Sequence, residues 1–342
     1  MIDIGSLTLE ELTEQFKTEL GLPAFRAKQV YKWLADGASD FSEMTNISKD
    51  LRNNLSNIYY ISVATIEKKL VSVYDKTVKY LLSFNDGEMV ESVVMNYHHG
   101  YTICLSSQVG CKMGCTFCAT GQGGFTRNLT PSEMLAQIHS AQKDLGIRIS
   151  NIVLMGMGEP LDNYDNVLRF LRLVSNENNF NIGMRHISLS TCGLVDRIYD
   201  LEKENLQLTL SVSLHAPNDV IRSRTMPVNK RYPIDTLLNA CRSYAAATNR
   251  RISFEYAMIS GVNDSDECAK ELASRLKGML CHVNLIPVNP VDNTGYRKSA
   301  RDRQQAFIRI LGKHGITATV RRTLGADINA SCGQLRGRHL KK

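Results

Sequence analysis

Residues 109–118 read Val109-Gly110-Cys111-Lys112-Met113-Gly114-Cys115-Thr116-Phe117-Cys118, which spaces three cysteines as C-x3-C-x2-C. Thiolates are the usual protein ligands of iron–sulfur clusters. Three close thiolates can bind three irons of a cubane cluster and leave the fourth iron without a protein ligand. An open iron can bind a substrate, as the open position of a catalytic metal site does. The stretch therefore predicts one [4Fe–4S] cluster held by Cys111, Cys115 and Cys118.

Two other interpretations of these cysteines stay open at this point. A zinc site more often shows paired C-x2-C units with a fourth ligand. This chain has no second C-x2-C unit and no H-x3-H pattern. The third interpretation is a set of buried structural thiols, which at this spacing would be an accident.

Composition limits the class of protein. The 342 residues are 43% hydrophobic and 22% charged, as is ordinary for a globular chain of about two domains. The net charge of +7 permits an anionic partner such as RNA. The first residues do not form a signal peptide, and no apolar run reaches transmembrane length. Nine cysteines without an export signal predict a reducing cytoplasm. We expect a monomer with no membrane association.

Hydrophobic periodicity divides the chain into parts. Residues 1–60 predict a small helical unit, with helices over 6–20, from Pro23 to near Gly37, and over 48–57. Residues 61–96 predict a β-rich linker with a hairpin turn at Asn85-Asp86-Gly87. Strands and helices alternate over 97–335, and a basic tail follows over 336–342.

The alternating part predicts a parallel sheet with helices on its outer face, as in a partial or full α/β barrel. The predicted strands are Tyr101–Leu105, Asn151–Met155, His186–Ser190, Leu208–Leu214, Ile252–Met258, Val283–Pro287 and Thr317–Arg321. The predicted helices are Pro131–Leu145, Asn163–Leu173, Ile234–Ala247, Ser265–Lys277 and Arg301–His314. Active sites of such barrels lie at the carboxyl ends of the strands. The cysteine loop follows the first of these strands, where catalytic residues are expected.

Other strand ends carry polar motifs. Met155-Gly156-Met157-Gly158-Glu159-Pro160 follows the second barrel strand, and Glu159 could accept hydrogen bonds from an ammonium group. Its glycines would let the backbone approach a ligand, although an ordinary strand-to-helix turn is the alternative. Later strands end at Ser190, at Ser213-Leu214-His215 and at Asn289. Each alone would be a satisfied turn residue, but together they predict a ring that binds a cofactor.

The cysteine triad is the signature of the radical S-adenosylmethionine (radical SAM) superfamily, which this chain resembles. The stretches C-x-S-S-Q-x-G-C from Cys104 and C-G-Q-L from Cys332 closely resemble its RlmN/Cfr family of RNA methyltransferases. Without this resemblance, either cysteine would be taken as a buried inert thiol. The likeness extends from about Glu91 to Leu335. It implies a partial (β/α)6-type barrel with a small helical accessory domain, and S-adenosylmethionine bound by Gly158, Glu159, Ser190, Ser213, Leu214, His215 and Asn289.

The resemblance also implies a reaction. Carbon 2 of adenine is electron-poor, so its methylation needs a radical route in which the cofactor carries the hard step. Cys332 takes a methyl group from one S-adenosylmethionine, and a second one is cleaved reductively at the cluster. Release of the methylated RNA forms a Cys104–Cys332 disulfide. Two S-adenosylmethionine molecules per turnover and a flavodoxin-like electron donor are implied.

Glu91 corresponds to the family's acidic residue, proposed to accept a proton or to hold the adenine. The strand pattern alone would make Glu91 a solvent-facing residue, and Glu88 is a nearby alternative. Cys192, Cys241, Cys268 and Cys281 match no such role and are expected to be structural.

RNA contact is expected to be electrostatic. The basic side chains available for it are Arg127, Arg222, Arg224, Lys230, Arg231, Arg250, Arg251, Arg321 and Arg322. The helical unit with Lys28, Lys32 and Trp33 resembles the family's accessory RNA-binding domain, although a simple packing module is the alternative.

Two details favour methylation at carbon 2 over carbon 8. Pro160 stands where the Cfr branch typically has alanine, and residues 124–130 follow the RlmN wording. The resemblance therefore implies carbon 2 methylation of an adenine in the peptidyl-transferase region of 23S rRNA and of adenine 37 in some tRNAs. Carbon 8 methylation is the alternative. A non-catalytic iron–sulfur protein is a third possibility, but it would have no use for Cys104 and Cys332.

Overall fold

The computed structural model describes residues 1–288 and 295–330. The strands are β1 (Ile2–Asp3), β2 (Tyr59–Tyr60), β3 (Thr65–Val71), β4 (Val78–Ser83), β5 (Met89–Tyr97), β6 (Gly100–Cys104), β7 (Gln108–Gly110), β8 (Phe125–Asn128), β9 (Ile149–Leu154), β10 (Ile187–Thr191), β11 (Thr209–Ser213), β12 (Ile252–Met258), β13 (Cys281–Pro287) and β14 (Ala318–Val320). The α-helices are α1 (Leu9–Leu20), α2 (Ala24–Ala35), α3 (Lys49–Ile58), α4 (Ala119–Gln122), α5 (Pro131–Leu145), α6 (Tyr164–Ser175), α7 (Val195–Lys203), α8 (Asp219–Thr225), α9 (Ile234–Thr248), α10 (Asp266–Leu276) and α11 (Arg301–Lys313).

A parallel sheet forms the centre of the molecule, and its strands lie in the order β6-β9-β10-β11-β12-β13-β14. Each pair of neighbours in this row is parallel. Helices connect successive strands, as parallel pairing requires. The row ends at β14 rather than closing onto β6. The predicted α/β partial barrel is therefore confirmed.

The segment predicted as a β-rich linker continues this sheet. Strand β4 pairs antiparallel with both β3 and β5, and β5 pairs antiparallel with β6 so that Val93 lies opposite Cys104. Within residues 1–288 and 295–330 the sheet thus has ten strands, from β14 at one edge to β3 at the other. The hairpin between β3 and β4 lies beside the barrel as a structural extension.

Helix α5 shows how local sequence sets an element. Thr130 caps its first turn by accepting a hydrogen bond from the amide of Glu133, and the Glu133 carboxylate accepts one from the amide of Thr130. This reciprocal capping box satisfies two amides that have no partner within the helix. Pro131 fits the first turn, where its missing N–H costs nothing. Gly146 ends the helix in a left-handed conformation. The sequence-predicted range, 131–145, is confirmed.

The amino-terminal helices surround a hydrophobic core of their own. Leu12, Phe16, Val30 and Leu55 are fully buried in it. A salt bridge joins this unit to the barrel helix α6. The carboxylate of Glu11 lies 2.5 Å from the guanidinium group of Arg169. In the described part of the chain, no helix is long and apolar enough to span a membrane.

Arg222 is not available to RNA, so the sequence-based expectation for this residue is wrong. Its side chain is fully buried in α8. The guanidinium group donates to the carbonyl oxygens of Leu214 at 3.1 Å, Cys192 at 2.6 Å and Ser213 at 3.2 Å. Planar guanidinium donors suit such converging acceptors. Arg222 therefore ties the loops after β10 and β11 to α8.

Substitution of this arginine should destabilise the barrel. Arg222→Met leaves the three carbonyl groups without their donor, and we expect the free energy of unfolding to fall by about 3 kcal/mol or more. Arg224→Met, two residues away on an exposed position, is the matched control and should leave stability nearly unchanged. Urea unfolding of both variants measures the difference. Equal stability of the two would contradict the structural role of Arg222.

Candidate active site

A cavity of about 380 Å³ opens at the carboxyl ends of the barrel strands. Such strand ends are where barrel enzymes place their active sites. The cavity brings together sequence-predicted residues from several loops, namely Cys104, Cys111, Cys115, Cys118, Gly158, Glu159, Ser190, Ser213 and His215. The cysteine loop and the polar strand ends thus face one space.

Two of the predicted site residues that the structure describes, Leu214 and Glu91, do not line this cavity. Leu214 is buried in the wall, where its carbonyl group accepts the Arg222 hydrogen bond. Glu91 is fully buried, which contradicts the solvent-facing alternative, and its carboxylate lies 2.8 Å from the ammonium group of Lys79. Asn289 and Cys332 lie outside the described residues.

A short hairpin holds the base of the cysteine loop. Strands β7 and β8 flank the loop and pair with each other. Gly110 has φ 81°, and a Cβ atom there would lie 2.0 Å from the carbonyl oxygen of Gly124. Only glycine fits this position. Further along, the amide of Thr116 donates to the carbonyl of Thr225 at 3.0 Å, so the loop is also attached to α8.

The three thiols of this loop fit an iron–sulfur cluster. Burial raises the pKa of Cys111 to about 12 and that of Cys115 further, and a Cys118 thiolate would raise both. Such thiols are protonated at neutral pH and must lose protons when they bind metal. Within residues 1–288 and 295–330, no three His, Cys, Asp or Glu side chains are arranged to hold one metal ion. A cubane binds each thiolate through a different iron, and so needs wider spacing than a single ion.

Glu159 is a buried acid in the cavity wall. Its carboxylate accepts hydrogen bonds from the amides of Cys192 at 2.7 Å and Leu161 at 3.1 Å. Burial nevertheless raises the pKa of Glu159, because these donors only partly replace the lost water. It forms no ion pair with any described residue. A cationic ligand group in the cavity would therefore find a carboxylate in need of a partner.

Gly158 allows the loop after β9 to pack against the segment after β6. It has φ 104°, and a Cβ atom there would lie 2.6 Å from the Cβ atom of Gln108. The amide of the next residue, Glu159, donates to the Gln108 side chain at 2.8 Å. The structure thus gives this glycine a packing role, whereas the sequence pattern suggested only approach to a ligand.

His215 is a neutral hydrogen-bonding group. Burial, and to a smaller extent the positive charge of Arg222, lowers its pKa to about 3. Its Nδ1 atom accepts a hydrogen bond from the amide of Ala257 at 2.8 Å, so the ring proton resides on Nε2. His215 can therefore donate one hydrogen bond and does not act as an acid near pH 7.

The wall also contains Cys192 and Glu255, which were not predicted to belong to the site. Cys192, expected to be structural, lines the cavity beside Glu159. Glu255 also lines it, and its carboxylate accepts hydrogen bonds from Asn284 at 2.8 Å and Ser253 at 3.0 Å. Burial raises the pKa of Glu255. An acidic residue inside the apolar run 252–258 was the sequence signal that could have revealed it.

Basic side chains differ in their exposure to the cavity. Arg321 and Arg322, which follow β14, line it. Arg127 is instead held by Glu133 at 2.8 Å and Asp86 at 2.6 Å. Of these three arginines, the pair after β14 is thus the better placed to meet an anionic substrate.

Replacement of Gly158 should disturb the site more than a generic glycine substitution. Gly158→Ala forces a side chain into a contact of 2.6 Å and into an unfavourable backbone region that costs about 1–3 kcal/mol. We expect a lower melting temperature of the metal-free protein and weaker binding of S-adenosylmethionine. Gly312→Ala in α11 meets nothing within 4 Å and is the control. Calorimetry of both variants measures these effects, and matching values would contradict the packing role.

Comparison with known proteins places the chain in a family. The family described as "Radical SAM superfamily" matches residues 105–273, and "Ribosomal RNA large subunit methyltransferase N-terminal domain" matches residues 2–61. A "Probable dual-specificity RNA methyltransferase RlmN" of Alkaliphilus oremlandii is 55% identical over 99% of both chains. The protein of the same name from Clostridium tetani is 54% identical over 100% of this chain and 97% of its own. The crystal structure of a radical SAM methyltransferase from Sphaerobacter thermophilus superimposes with a TM-score of 0.93 at 45% identity, covering 98% and 99% of the two chains. The chain belongs to the RlmN family of the radical SAM superfamily.

Proposed function

We propose that this protein methylates carbon 2 of an adenine in the peptidyl-transferase region of 23S rRNA and of adenine 37 in some tRNAs. The observation that carries the proposal is full-length identity of 55% to a relative named as a dual-specificity RNA methyltransferase. The cavity supports it, since three cysteines of the radical SAM loop line the same space as Glu159 and Cys104.

Cofactor binding is assigned to the cavity wall. Membership of the superfamily implies a [4Fe–4S] cluster and S-adenosylmethionine. Cys111, Cys115 and Cys118 would hold the cluster, which together with S-adenosylmethionine supplies the one-electron chemistry that an electron-poor ring carbon requires. Glu159 would accept hydrogen bonds from the amino group of S-adenosylmethionine. The other polar groups of S-adenosylmethionine would contact Ser190, Ser213 and His215. Asn289 would complete this set.

Cys104 is proposed to resolve the product. Its side chain lines the cavity at the end of β6 and packs with the apolar side chains of Val93, Met95 and Met155. These side chains exclude water from the thiol, which protects a covalent intermediate from side reactions. Its attack on methylene-bridged Cys332 would form the Cys104–Cys332 disulfide, free the methylated RNA, and leave a pair for a cellular thiol to reduce.

Glu91 is proposed to take the proton from the adenine ring. The Ser106 hydroxyl donates to the Glu91 carbonyl at 2.6 Å, so Glu91 lies beside the segment that leads into the cysteine loop. Glu88 precedes β5 and is only partly buried. The position of Glu91 beside this segment favours it over Glu88.

The remaining components are proposed from the family and from surface charge. Residues 1–60 would be an accessory RNA-binding domain, whose Lys28 and Lys32 are exposed. Arg321 and Arg322 would contact RNA at the cavity, into which the target adenine must be turned. We further propose two S-adenosylmethionine molecules per turnover, a flavodoxin-like electron donor, a monomeric protein and a cytoplasmic location.

The central test is methylation of an rRNA fragment by protein reconstituted without oxygen. Methyl at carbon 2 of adenine is expected, and Cys332→Ala should abolish it because the methyl group has no carrier. Mapping by mass spectrometry reads the position of the methyl group. Methyl at carbon 8 would overturn the assigned position, and full activity of Cys332→Ala would overturn the carrier role.

The resolving role of Cys104 has a separate test. Cys104→Ala should leave RNA joined covalently to the protein, because no thiol is present to release it. Denaturing gel electrophoresis of protein expressed in cells detects the adduct. Cys281→Ala, at a partly buried position outside the cavity, is the control and should yield no adduct. Normal turnover by Cys104→Ala would show that another group releases the product.

A further inference from the structure

The segment 325–330 is attached to the hairpin between β3 and β4. The amide of Gly325 donates to the Asp75 carboxylate at 2.8 Å. The Asp327 carboxylate accepts hydrogen bonds from the Ser72 hydroxyl at 2.7 Å and from the amide of Val73 at 2.9 Å. Ala330 lines the cavity and precedes Cys332 by two residues in the sequence. The hairpin therefore holds segment 325–330 at the wall of the cavity.

Lys79 joins this segment to Glu91. Its side chain is only 1% exposed, and its ammonium group lies 2.8 Å from the Glu91 carboxylate. The same ammonium group donates to the carbonyl oxygen of Asn329 at 2.9 Å. Burial of a lysine is costly unless its charge is paired and hydrogen-bonded. The two acceptors therefore hold the ammonium group in place, and the ammonium group in turn fixes the spacing between them.

We propose that Lys79 is a positioning residue that sets the segment leading to Cys332 relative to Glu91. The proposal rests on the proposed function, which makes Cys332 the methyl carrier and Glu91 the proton acceptor. Both groups act on the same adenine carbon, one by delivering carbon and the other by removing a proton. A displacement of about 1 Å between such groups can reduce a rate by about 10²-fold. A cation that binds both elements limits that displacement.

The first test reads the attachment without any cofactor. Lys79→Met removes the ammonium group, and we expect faster hydrogen–deuterium exchange of the amides in segment 325–330 of the metal-free protein. Asp327→Ala should act in the same direction through the hairpin contact. Lys69→Met is the matched control, because Lys69 lies on neighbouring β3 and pairs with Asp144 at 2.6 Å. Unchanged exchange in Lys79→Met, with a normal melting temperature, would overturn the proposal.

The second test separates positioning from stability. Lys79→Met removes the cation that lies against the buried Glu91 carboxylate, and loss of one member of a buried ion pair destabilises proteins. Glu91→Gln removes the carboxylate charge, so the double variant Lys79→Met with Glu91→Gln should regain stability. Asp327→Ala retains the Lys79–Glu91 pair and removes only the contact of segment 325–330 with the hairpin. If Lys79→Met fails to fold, Asp327→Ala still tests whether the position of this segment affects methyl transfer.

Single-turnover transfer of the methyl group to RNA gives the kinetic measurement. We expect the maximal single-turnover rate constant to fall by about 10²-fold in Lys79→Met, with little change in the concentration that gives half of the maximal rate, and a smaller decrease in Asp327→Ala. Lys69→Met should match the parent protein. Transfer within twofold of the parent by folded Lys79→Met would overturn this inference alone. Full activity of Cys332→Ala would instead overturn the proposed function.

Discussion

The hydrogen-bonded contact between residues 105–108 and 156–159 is the constraint on which the site depends. The amide of Gly156 donates to the Leu105 carbonyl at 2.9 Å, and the amide of Ser107 donates to the Met157 carbonyl at 2.9 Å. The Gln108 side chain completes the contact by accepting from the amide of Glu159. One side of this contact leads into the cysteine loop, and the other carries Glu159. The distance between the predicted cluster and the predicted amino-group site is therefore set by backbone hydrogen bonds, which are rigid.

This contact explains motif residues that have no chemistry of their own. The Ser106 hydroxyl accepts from the amide of Met157 at 2.9 Å and donates to the carbonyl of Glu91 at 2.6 Å. Gln108 also donates to Asn128 and Asp162, each at 2.8 Å. Their side chains satisfy buried backbone groups where β5, β6 and β9 meet, as buried polar groups require. A motif that resembles a catalytic signature thus consists in good part of residues that hold the catalytic loops in register.

The sequence predicted the architecture well because its signals are local and periodic. Strand β12 was predicted at its observed bounds, since 252–258 is a short apolar run between polar turns. Strands β7 and β8 were missed because three or four residues are too few for a period to show. Helix α8 was also missed, and with it the burial of Arg222, whose partners lie at the ends of β10 and β11. A charged side chain such as Arg222 is expected to be exposed, and only its tertiary contacts show that it is buried.

Buried charge marks the specialised part of the molecule. The barrel alone supplies the cysteine loop, Glu159 and His215, which are the groups proposed to bind the cofactors. The antiparallel extension adds Lys79 and Glu91, a fully buried ion pair that costs desolvation free energy and that apolar side chains could replace without loss of stability. Such a pair, placed where it also binds the carbonyl of Asn329, favours a role beyond packing. The extension therefore adds to the radical SAM barrel the buried pair on which the proposed positioning of residues 325–330 rests.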